Sequence, residues 1–371
     1  MGPLPELAPG PAKARFVTEA ASGLPPACTA HLAGQRVLVT GATGFVGQHV
    51  VRALAAGPGG AIRILARSHD RVREVFGPAA GSLEVRLADL TDAASLQGVC
   101  DRVAFVIHSG SAVPYAFSGA APAGAFARVN RGGTENLARE ALRAGVRRLV
   151  HVSSTAAMGT PLELSVNETT PCRPTSAYQV SKYEAEQSLL RLHRDRGLDL
   201  TIVRPCLVAG EGKRGGELLK LFRLCRRGIF PVIGQRLDVE KPLIAVDDLV
   251  QALLLASGHG GPGEIYLVHS DGGHTLGAIL REAGRLVGKP RPYLSIPLPA
   301  ARLGARTGTW LAGLLGRQSP LTPQRLDLFL ADRRIDIRKA REQLGYQPRH
   351  QDLGEMLRRT HAYYVATGQL Q

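Results

Sequence analysis

Lysine is scarce in this chain, with seven residues against 39 arginines. Acidic residues are in the minority, 31 against 46 basic, which leaves a net charge of +15. Such an excess has two readings: the residue preference of a GC-rich genome, or a surface drawn to anions such as nucleic acid, anionic lipid or a phosphorylated substrate. No dense Lys/Arg run with interleaved aromatics occurs, so the usual nucleic-acid footprint is missing. Cysteine is also sparse. The five residues (28, 100, 172, 206 and 225) form no C-x-x-C pair. This speaks against a zinc site and a disulfide framework, and fits a reducing cytoplasm. No apolar run reaches the roughly 18 residues expected of a transmembrane helix. Residues 1–34 are rich in Pro, Ala and Gly and lack the apolar segment of a signal peptide. They read as a mobile arm, or as a start codon placed too early.

What is present is enough chain, 371 residues, for a large core in one domain or two unequal ones. Its centre is Arg36 to Gly47 (RVLVTGATGFVG). Val37 to Thr40 reads as a buried strand, followed by Gly41, Gly44 and Gly47 at a spacing of three. A helix then opens with Phe45 and Val46. A helix N-terminus offers unpaired N–H groups and a partial positive charge, and glycine lets the backbone approach a pyrophosphate. The flanking strand and helix are the context that such a triplet requires.

Further strands follow at 62–66, 83–87, 103–107 and 146–152, separated by helices at 69–76, 92–99 and 122–144. This alternation predicts an α/β fold: a doubly wound, Rossmann-type parallel sheet with right-handed crossovers. Ligands in such sheets bind at the carboxyl ends of the strands, so Gly41, Arg67, Asp89, Ser109 and Ser154 are expected along one edge. The expected organisation is an arm (1–34), a cofactor-binding domain (35–205), and a smaller, mostly helical lobe (206–371) interleaved with the last strands.

The end of the second strand bears on cofactor choice. NAD-binding units place an acidic residue there for the ribose 2′-hydroxyl. Here Ala66 is followed by Arg67 and Ser68, with Arg63 nearby. An Arg suits a 2′-phosphate, which favours NADP. Asp70 keeps NAD open, should it fold back toward the ribose.

Tyr178 and Lys182 (YQVSK) lie near the start of a helix over 176–196, and their i, i+4 spacing puts them on one face. A free Tyr, with a pKa near 10, is a poor proton donor or acceptor at neutral pH. A neighbouring ammonium lowers that pKa. The phenol can then exchange a proton with a carbonyl or alcohol while hydride moves at the nicotinamide. Ser154, at a strand end, is placed to orient the reacting oxygen.

The ordered set resembles the extended short-chain dehydrogenase/reductases, the group that holds NAD-dependent epimerase/dehydratases and 3β-hydroxysteroid dehydrogenase-like reductases. The likeness covers about 36–366. It rests on TGATGFVG (40–47), Asp89-Leu90, Val129-Asn130 with Gly133-Thr134-Glu135-Asn136, Val152-Ser153-Ser154-Thr155, Tyr178-x-x-x-Lys182 and Arg204-Pro205. Later come Val246-Asp247-Asp248-Leu249 and Asp336 to Ala340 with Leu344-Gly345-Tyr346. The resemblance implies Ser154, Tyr178 and Lys182 as the catalytic set, with Lys182 also on the nicotinamide ribose. It implies Gly41, Gly44, Phe45, Val46 and Gly47 at the pyrophosphate. Asp89 and Leu90 would flank the adenine, and Ser109 and Pro205 the nicotinamide half. Asn130 is a structural or relay residue, and the Gly-Thr-Glu-Asn stretch packs a helix. No metal site is implied.

Three departures bear on the substrate. Thr155-Ala156 follows Ser154 where dehydratases of the family carry an acidic pair. Lys241-Pro242 stands where sugar-nucleotide members often have Arg-Asp. Met158 replaces a Tyr found in many sugar epimerases. Together they lean toward a ketone/alcohol oxidoreductase with a less polar, small-molecule substrate. The alternatives are an NDP-sugar epimerase holding NAD, and a non-catalytic dinucleotide-binding protein. Asp247-Asp248 reads as a helix cap. In the C-terminal third, Leu303, Trp310, Leu311, Leu314 and Leu315 have helical spacing, with Arg302, Arg306 and Arg317 around them. They read as a helix packed on the lobe or as an amphipathic helix that contacts a membrane surface. A homodimer is left open.

Overall fold

The computed structural model describes residues 24–114, 122, 124–159, 163, 165–314 and 334–370. The first strand, β1 (Arg36–Thr40), is buried along nearly its whole length and runs through the glycine turn into helix α1 (Phe45–Ala55). The chain continues through β2 (Ala61–Ala66), α2 (His69–Phe76), β3 (Glu84–Leu87) and β4 (Phe105–His108), then α3 (Thr134–Arg143) and β5 (Arg148–Val152). Next come the short β6 (Ser165–Val166), the long helix α4 (Ala177–Arg196) and β7 (Leu200–Pro205).

After β7 the chain alternates between lobe and sheet. It forms β8 (Leu207–Ala209), α5 (Glu217–Arg227), β9 (Phe230–Ile233), β10 (Leu243–Ala245) and α6 (Val246–His259). Strand β11 (Glu264–Val268) then returns to the sheet. The remaining elements are α7 (Leu276–Leu286), β12 (Tyr293–Ile296), α8 (Leu298–Leu314), β13 (Arg334–Ile335), α9 (Arg338–Leu344) and α10 (Leu353–Ala366).

Seven strands form one sheet in the order β11-β7-β5-β4-β1-β2-β3, and every adjacent pair is parallel. A parallel sheet is covered on both faces, which explains its continuous apolar strands. One face packs on α1 and α6 through Val39, Ile107, Val150 and Leu253. The other packs on α3 and α4 through Leu38, Val106, Leu137 and Leu189. A separate core fills the lobe around Phe222, Leu280 and Tyr364. The order reverses between β1 and β4, and the crevice at such a switch is where ligands dock.

Three sequence expectations change. Residues 92–99 form turns instead of a helix, because the Ser95 hydroxyl bonds the Asp89 carbonyl (3.1 Å) and Asp92 accepts from the Ala94 N–H (3.0 Å). Such local side-chain bonds compete with helix formation. The helix expected over 122–144 contains a π-helical turn at Ala127–Gly133 before α3 begins. Residues 24–34 do not behave as an arm. Cys28 and Leu32 are buried in the main core, and the His31 ring bonds Ser257 of α6 (2.8 Å).

Candidate active site

The glycine turn meets the demands of a close approach on both sides. Gly41 has a φ of +65°, and a Cβ there would lie 2.6 Å from the Gly110 nitrogen, after β4. A Cβ on Gly47 would collide with the Gly41 carbonyl. Gly44 is the N-cap of α1 and carries no side chain to occupy the free N–H groups of the first turn. This cradle fits the pyrophosphate of a dinucleotide. Phe45 presents its backbone there. Its ring turns toward the lobe, edge-on to His49 and 5.9 Å from the Lys213 ammonium. Ser109 is tied to the turn by its hydroxyl and its N–H, both donating to the Thr40 carbonyl (2.8 and 3.2 Å).

Asp89 lies at the end of β3. Its carboxylate accepts from the Thr91 N–H and hydroxyl, both at 2.7 Å. These bonds, helped by the nearby Arg67 and Arg128 charges, hold its pKa below the usual carboxylate range. Leu90 fills the space between Gly110 and Gly133, where a Cβ on either glycine would come within 2.8 Å of it. Asn136 donates to the Leu90 carbonyl (3.0 Å), so the Gly-Thr-Glu-Asn stretch packs on the segment that follows β3.

Arg67 is exposed just past β2 and makes no ion pair with another described residue. Ser68 caps α2, accepting from the Asp70 and Arg71 N–H groups. Asp70, exposed on that helix, pairs with Arg73. Arg63 belongs to a different role from the one its position suggested. It is buried, donates to the Val99 and Asp101 carbonyls (2.8 and 2.9 Å), and pairs with Glu84 at 2.7 Å. It braces the sheet and does not face a ligand.

At the other end of the crevice, β5 and α4 are stitched together. The Lys182 ammonium donates to the Val152 carbonyl (2.9 Å), and the Ser153 hydroxyl to Glu186 (2.5 Å). Helix α4 packs on the turn Thr155–Met158. Ser154, the residue after this double stitch, is thereby set beside the first turns of α4, where Tyr178 lies. Its hydroxyl oxygen accepts from the Ala156 N–H (3.1 Å), leaving its proton to be donated outward. A capping box fixes the start of α4: Ser176 accepts from the Gln179 N–H, and the Gln179 side chain answers to the Ser176 N–H. The Tyr178 ring is half-buried and meets Phe126 edge-on at 5.7 Å.

Burial pushes the Lys182 pKa down to about 8, against the pull of Glu186 one turn on. One of its protons goes to Val152, which leaves two for other acceptors. Asn130 sits in the π-helical turn with its amide fully used. It donates to Ser181 (3.0 Å) and the Ala112 carbonyl (3.0 Å), and accepts from the Ala112 N–H (2.7 Å) and Ser111 hydroxyl (3.0 Å). Pro205 is buried at the end of β7.

Sequence reasoning missed the groups behind this arrangement. Glu186 is fully buried and pairs bidentately with Arg204 of β7 (2.6 and 2.9 Å). The available signal was Lys182-x-x-x-Glu186 on one helix face. Asp247 and Asp248 do not cap α6. They reach across the chain, Asp247 to Arg359 (2.7 Å), and Asp248 to Ser270 (2.5 Å) and His350 (3.0 Å). Met158 is buried in the main core. Among the described residues, no group of three His, Cys, Asp or Glu could hold a metal.

His108 and His151 lie beneath α4, side by side on β4 and β5, with ring centroids 5.1 Å apart. His108 is bonded to Thr40 (2.6 Å) and Thr134 (2.9 Å), whereas neither His151 nitrogen has a partner. Burial, then the Lys182 charge, lowers the His108 pKa to about 3 and moves His151 the same way. The unfolded chain takes up these protons below about pH 6.5, and the folded chain does not until far lower. Stability therefore falls as pH drops from 6.5, by about 1.4 kcal/mol per pH unit for His108. Urea midpoints at pH 7 and pH 5 test this. The His151→Leu variant should show a shallower acid limb, and an unchanged slope would assign the loss to other groups.

The glycine turn between β1 and α1, with the Ser, Tyr and Lys positions at the end of β5 and the start of α4, defines an extended short-chain dehydrogenase/reductase. Residues 37–268 match the NAD dependent epimerase/dehydratase family, and the chain belongs to that family. It is 35% identical over 270 residues to the sterol demethylase protein B of Methylococcus capsulatus, covering 70% of this chain and 77% of that one. It is 30% identical over 326 residues to a 3 beta-hydroxysteroid dehydrogenase/Delta 5-->4-isomerase of Mycobacterium tuberculosis, covering 84% and 86%. The solved structure of gox2253 superposes with a TM-score of 0.76 at 27% identity, covering 91% of this chain and all of that one.

Proposed function

We propose that the protein is an NADP-dependent oxidoreductase that interconverts a ketone and a secondary alcohol on an apolar, steroid-like or otherwise lipid-like substrate. The observation that carries this reading is the stitched junction of β5 and α4. It sets Ser154 beside the helix that bears Tyr178 and Lys182. When bound, the dinucleotide supplies or accepts the hydride. Ser154 donates a hydrogen bond to the substrate oxygen. Tyr178 gives that oxygen a proton on reduction and takes it back on oxidation. Lys182 lowers the Tyr178 pKa through its charge and holds the ribose through its two remaining protons. Asn130 keeps the loop at Ser111-Ala112 against α4.

The names of the two relatives, a sterol demethylase protein and a hydroxysteroid dehydrogenase, favour an apolar substrate. Thr155-Ala156 after Ser154 leaves a dehydratase without its acidic pair. An NDP-sugar epimerase would keep NAD through purification and show no net redox. NADPH consumption with a panel of ketones distinguishes the two. The lone Arg67 at the β2 end supports the 2′-phosphate preference, since Asp70 is engaged by Arg73. Losing one charge-assisted contact costs about 1.5–3 kcal/mol, so Arg67→Ala should weaken NADP binding roughly ten- to a hundred-fold and leave NAD unchanged. Equal losses for both cofactors would remove the NADP assignment.

A further inference from the structure

Helix α8 packs the wrong way round for a core helix. Its buried residues are the small Ala301 and Ala305, set against Ile233 of β9 with Ile296 and Leu298 alongside. Two of its large apolar residues face out: Leu303 is 64% exposed and Trp310 66%. At the helical repeat, Leu303, Arg306 and Trp310 share one stripe, opposite Ala301 and Ala305, with exposed Arg302 on its flank.

The same lobe exposes further large aliphatic side chains, among them Ile229 (46%) and Leu294 (56%). Strands β9 and β12 pair in parallel, Tyr293 against Phe230 and Leu294 against Pro231. Side chains alternate across a strand, so Ile229 and Leu294 lie on the sheet face that also bears Ile233 and Ile296, the one α8 partly covers. This apolar surface therefore continues from the two-stranded sheet onto the helix.

The chain stretches that build it carry charge of one sign. No acidic residue occurs between Glu282 and Asp327, a stretch that holds Arg285, Lys289, Arg291, Arg302, Arg306, Arg317 and Arg325. None occurs between Glu217 and Asp238 either, where Lys220, Arg223, Arg226, Arg227 and Arg236 lie. Arg226, Arg227, Lys289, Arg291, Arg302 and Arg306 are exposed and form no ion pair with another described residue. Exposed aliphatics with a tryptophan, fringed by unpaired cations, are complementary to one surface above others: anionic headgroups over acyl chains.

We propose that α8 and the β9/β12 sheet form a membrane-docking face that binds anionic bilayers, with Trp310 and Leu303 in the headgroup boundary and Arg302 and Arg306 on the lipid phosphates. No helix among the described residues is long and apolar enough to cross a membrane, so the contact is peripheral. This assignment is independent of the proposed reaction.

Trp310 is the sole tryptophan of the chain, so it reports directly on its own surroundings. The full-length protein is titrated with mixed phosphatidylglycerol/phosphatidylcholine vesicles and with phosphatidylcholine vesicles alone. The expected result is a blue shift of Trp310 emission and quenching by brominated acyl chains on the anionic vesicles, both lost at high salt. At about one kcal/mol of attraction per cation near an anionic surface, Arg302→Glu/Arg306→Glu weakens vesicle binding at least thirty-fold. Leu303→Glu abolishes the shift. These side chains are exposed, so the far-ultraviolet circular dichroism and melting of both variants should match the parent.

Emission unmoved by anionic vesicles at low salt would overturn the proposal. Equal binding to both vesicle types, indifferent to salt and to the Arg variants, would do the same. A blue shift that grows with protein concentration without lipid, and disappears in Leu303→Glu, would assign the face to a second copy of the chain instead. None of these outcomes depends on turnover, so loss of activity in a Tyr178 variant is read separately.

Discussion

Tyr178→Phe lowers kcat by about a thousand-fold, within the range that a positioned acid or base contributes, and leaves the NADPH dissociation constant within about a factor of two of the parent. The prediction is sharp because the change is small. Phe keeps the ring that meets Phe126 at 5.7 Å, and nothing in the capping of α4 by Ser176 and Gln179 involves the phenol. In the proposed mechanism, what is removed is the proton exchanged with the substrate oxygen. Turnover is followed by NADPH absorbance with an apolar ketone, and affinity by quenching of protein fluorescence. Ser154→Ala should cost less, since the hydroxyl orients the oxygen and moves no proton. Lys182→Met should lose both affinity and rate if, as proposed, its ammonium serves the ribose and the phenol. A Tyr178→Phe enzyme that turns over normally would sink the mechanism, whatever the cofactor does.

Arg204→Met unfolds at a markedly lower urea concentration, with a stability loss of about 3–5 kcal/mol, as expected when one partner of a buried ion pair is removed. Glu186 is fully buried, and Arg204 supplies two of its hydrogen bonds. Without the guanidinium, the carboxylate keeps only the Ser153 hydroxyl and the nearby Lys182 charge. Glu186→Gln together with Arg204→Met should recover part of the loss, because the stranded charge has gone. The double-mutant cycle then gives the coupling of the pair. A single Arg204→Met variant within about 1 kcal/mol of the parent would show that Glu186 is not held as an ion in the folded protein. The pair also matters for chemistry. Glu186 anchors Ser153, next to Ser154, so the double variant should bind cofactor and yet reduce substrate slowly.

The site could be read in the sequence where it depends on local geometry. A strand, three glycines and a helix start make a phosphate cradle from residues within one another's reach along the chain. Tyr178 and Lys182 share a helix face because a helix brings i and i+4 together. Alternating strands and helices imply a parallel sheet, and in such sheets the carboxyl edge, where Gly41, Arg67, Asp89, Ser109 and Ser154 are expected, is the ligand side. The helix expected at 92–99 failed for a local reason also written in the chain: Asp92 and Ser95 bond the backbone in competition with the helix. The same residue types are favoured in both settings, and only the folded partners decide between them.

By itself, then, the sequence determined the cradle, the i, i+4 pair and the fold class, because each follows from dihedral preferences and periodicity over a few residues. Tertiary structure alone decided which charges face a ligand and which are internal struts. Arg63 and Arg67 are four residues apart, yet one is buried against Glu84 and the other stands free at the β2 end. Asp247 and Asp248 look like a helix cap until Arg359 and His350, a hundred residues away, arrive against them. In α8, Ala301 and Ala305 pack on the sheet beneath while Leu303 and Trp310 face out, and Leu315 and Arg317 lie outside the described residues. Composition sets how much charge and apolar surface a chain carries. Where each ends up is decided by long-range packing, since a charge is buried only where a partner offsets the lost hydration and a large side chain only where a space of its size exists.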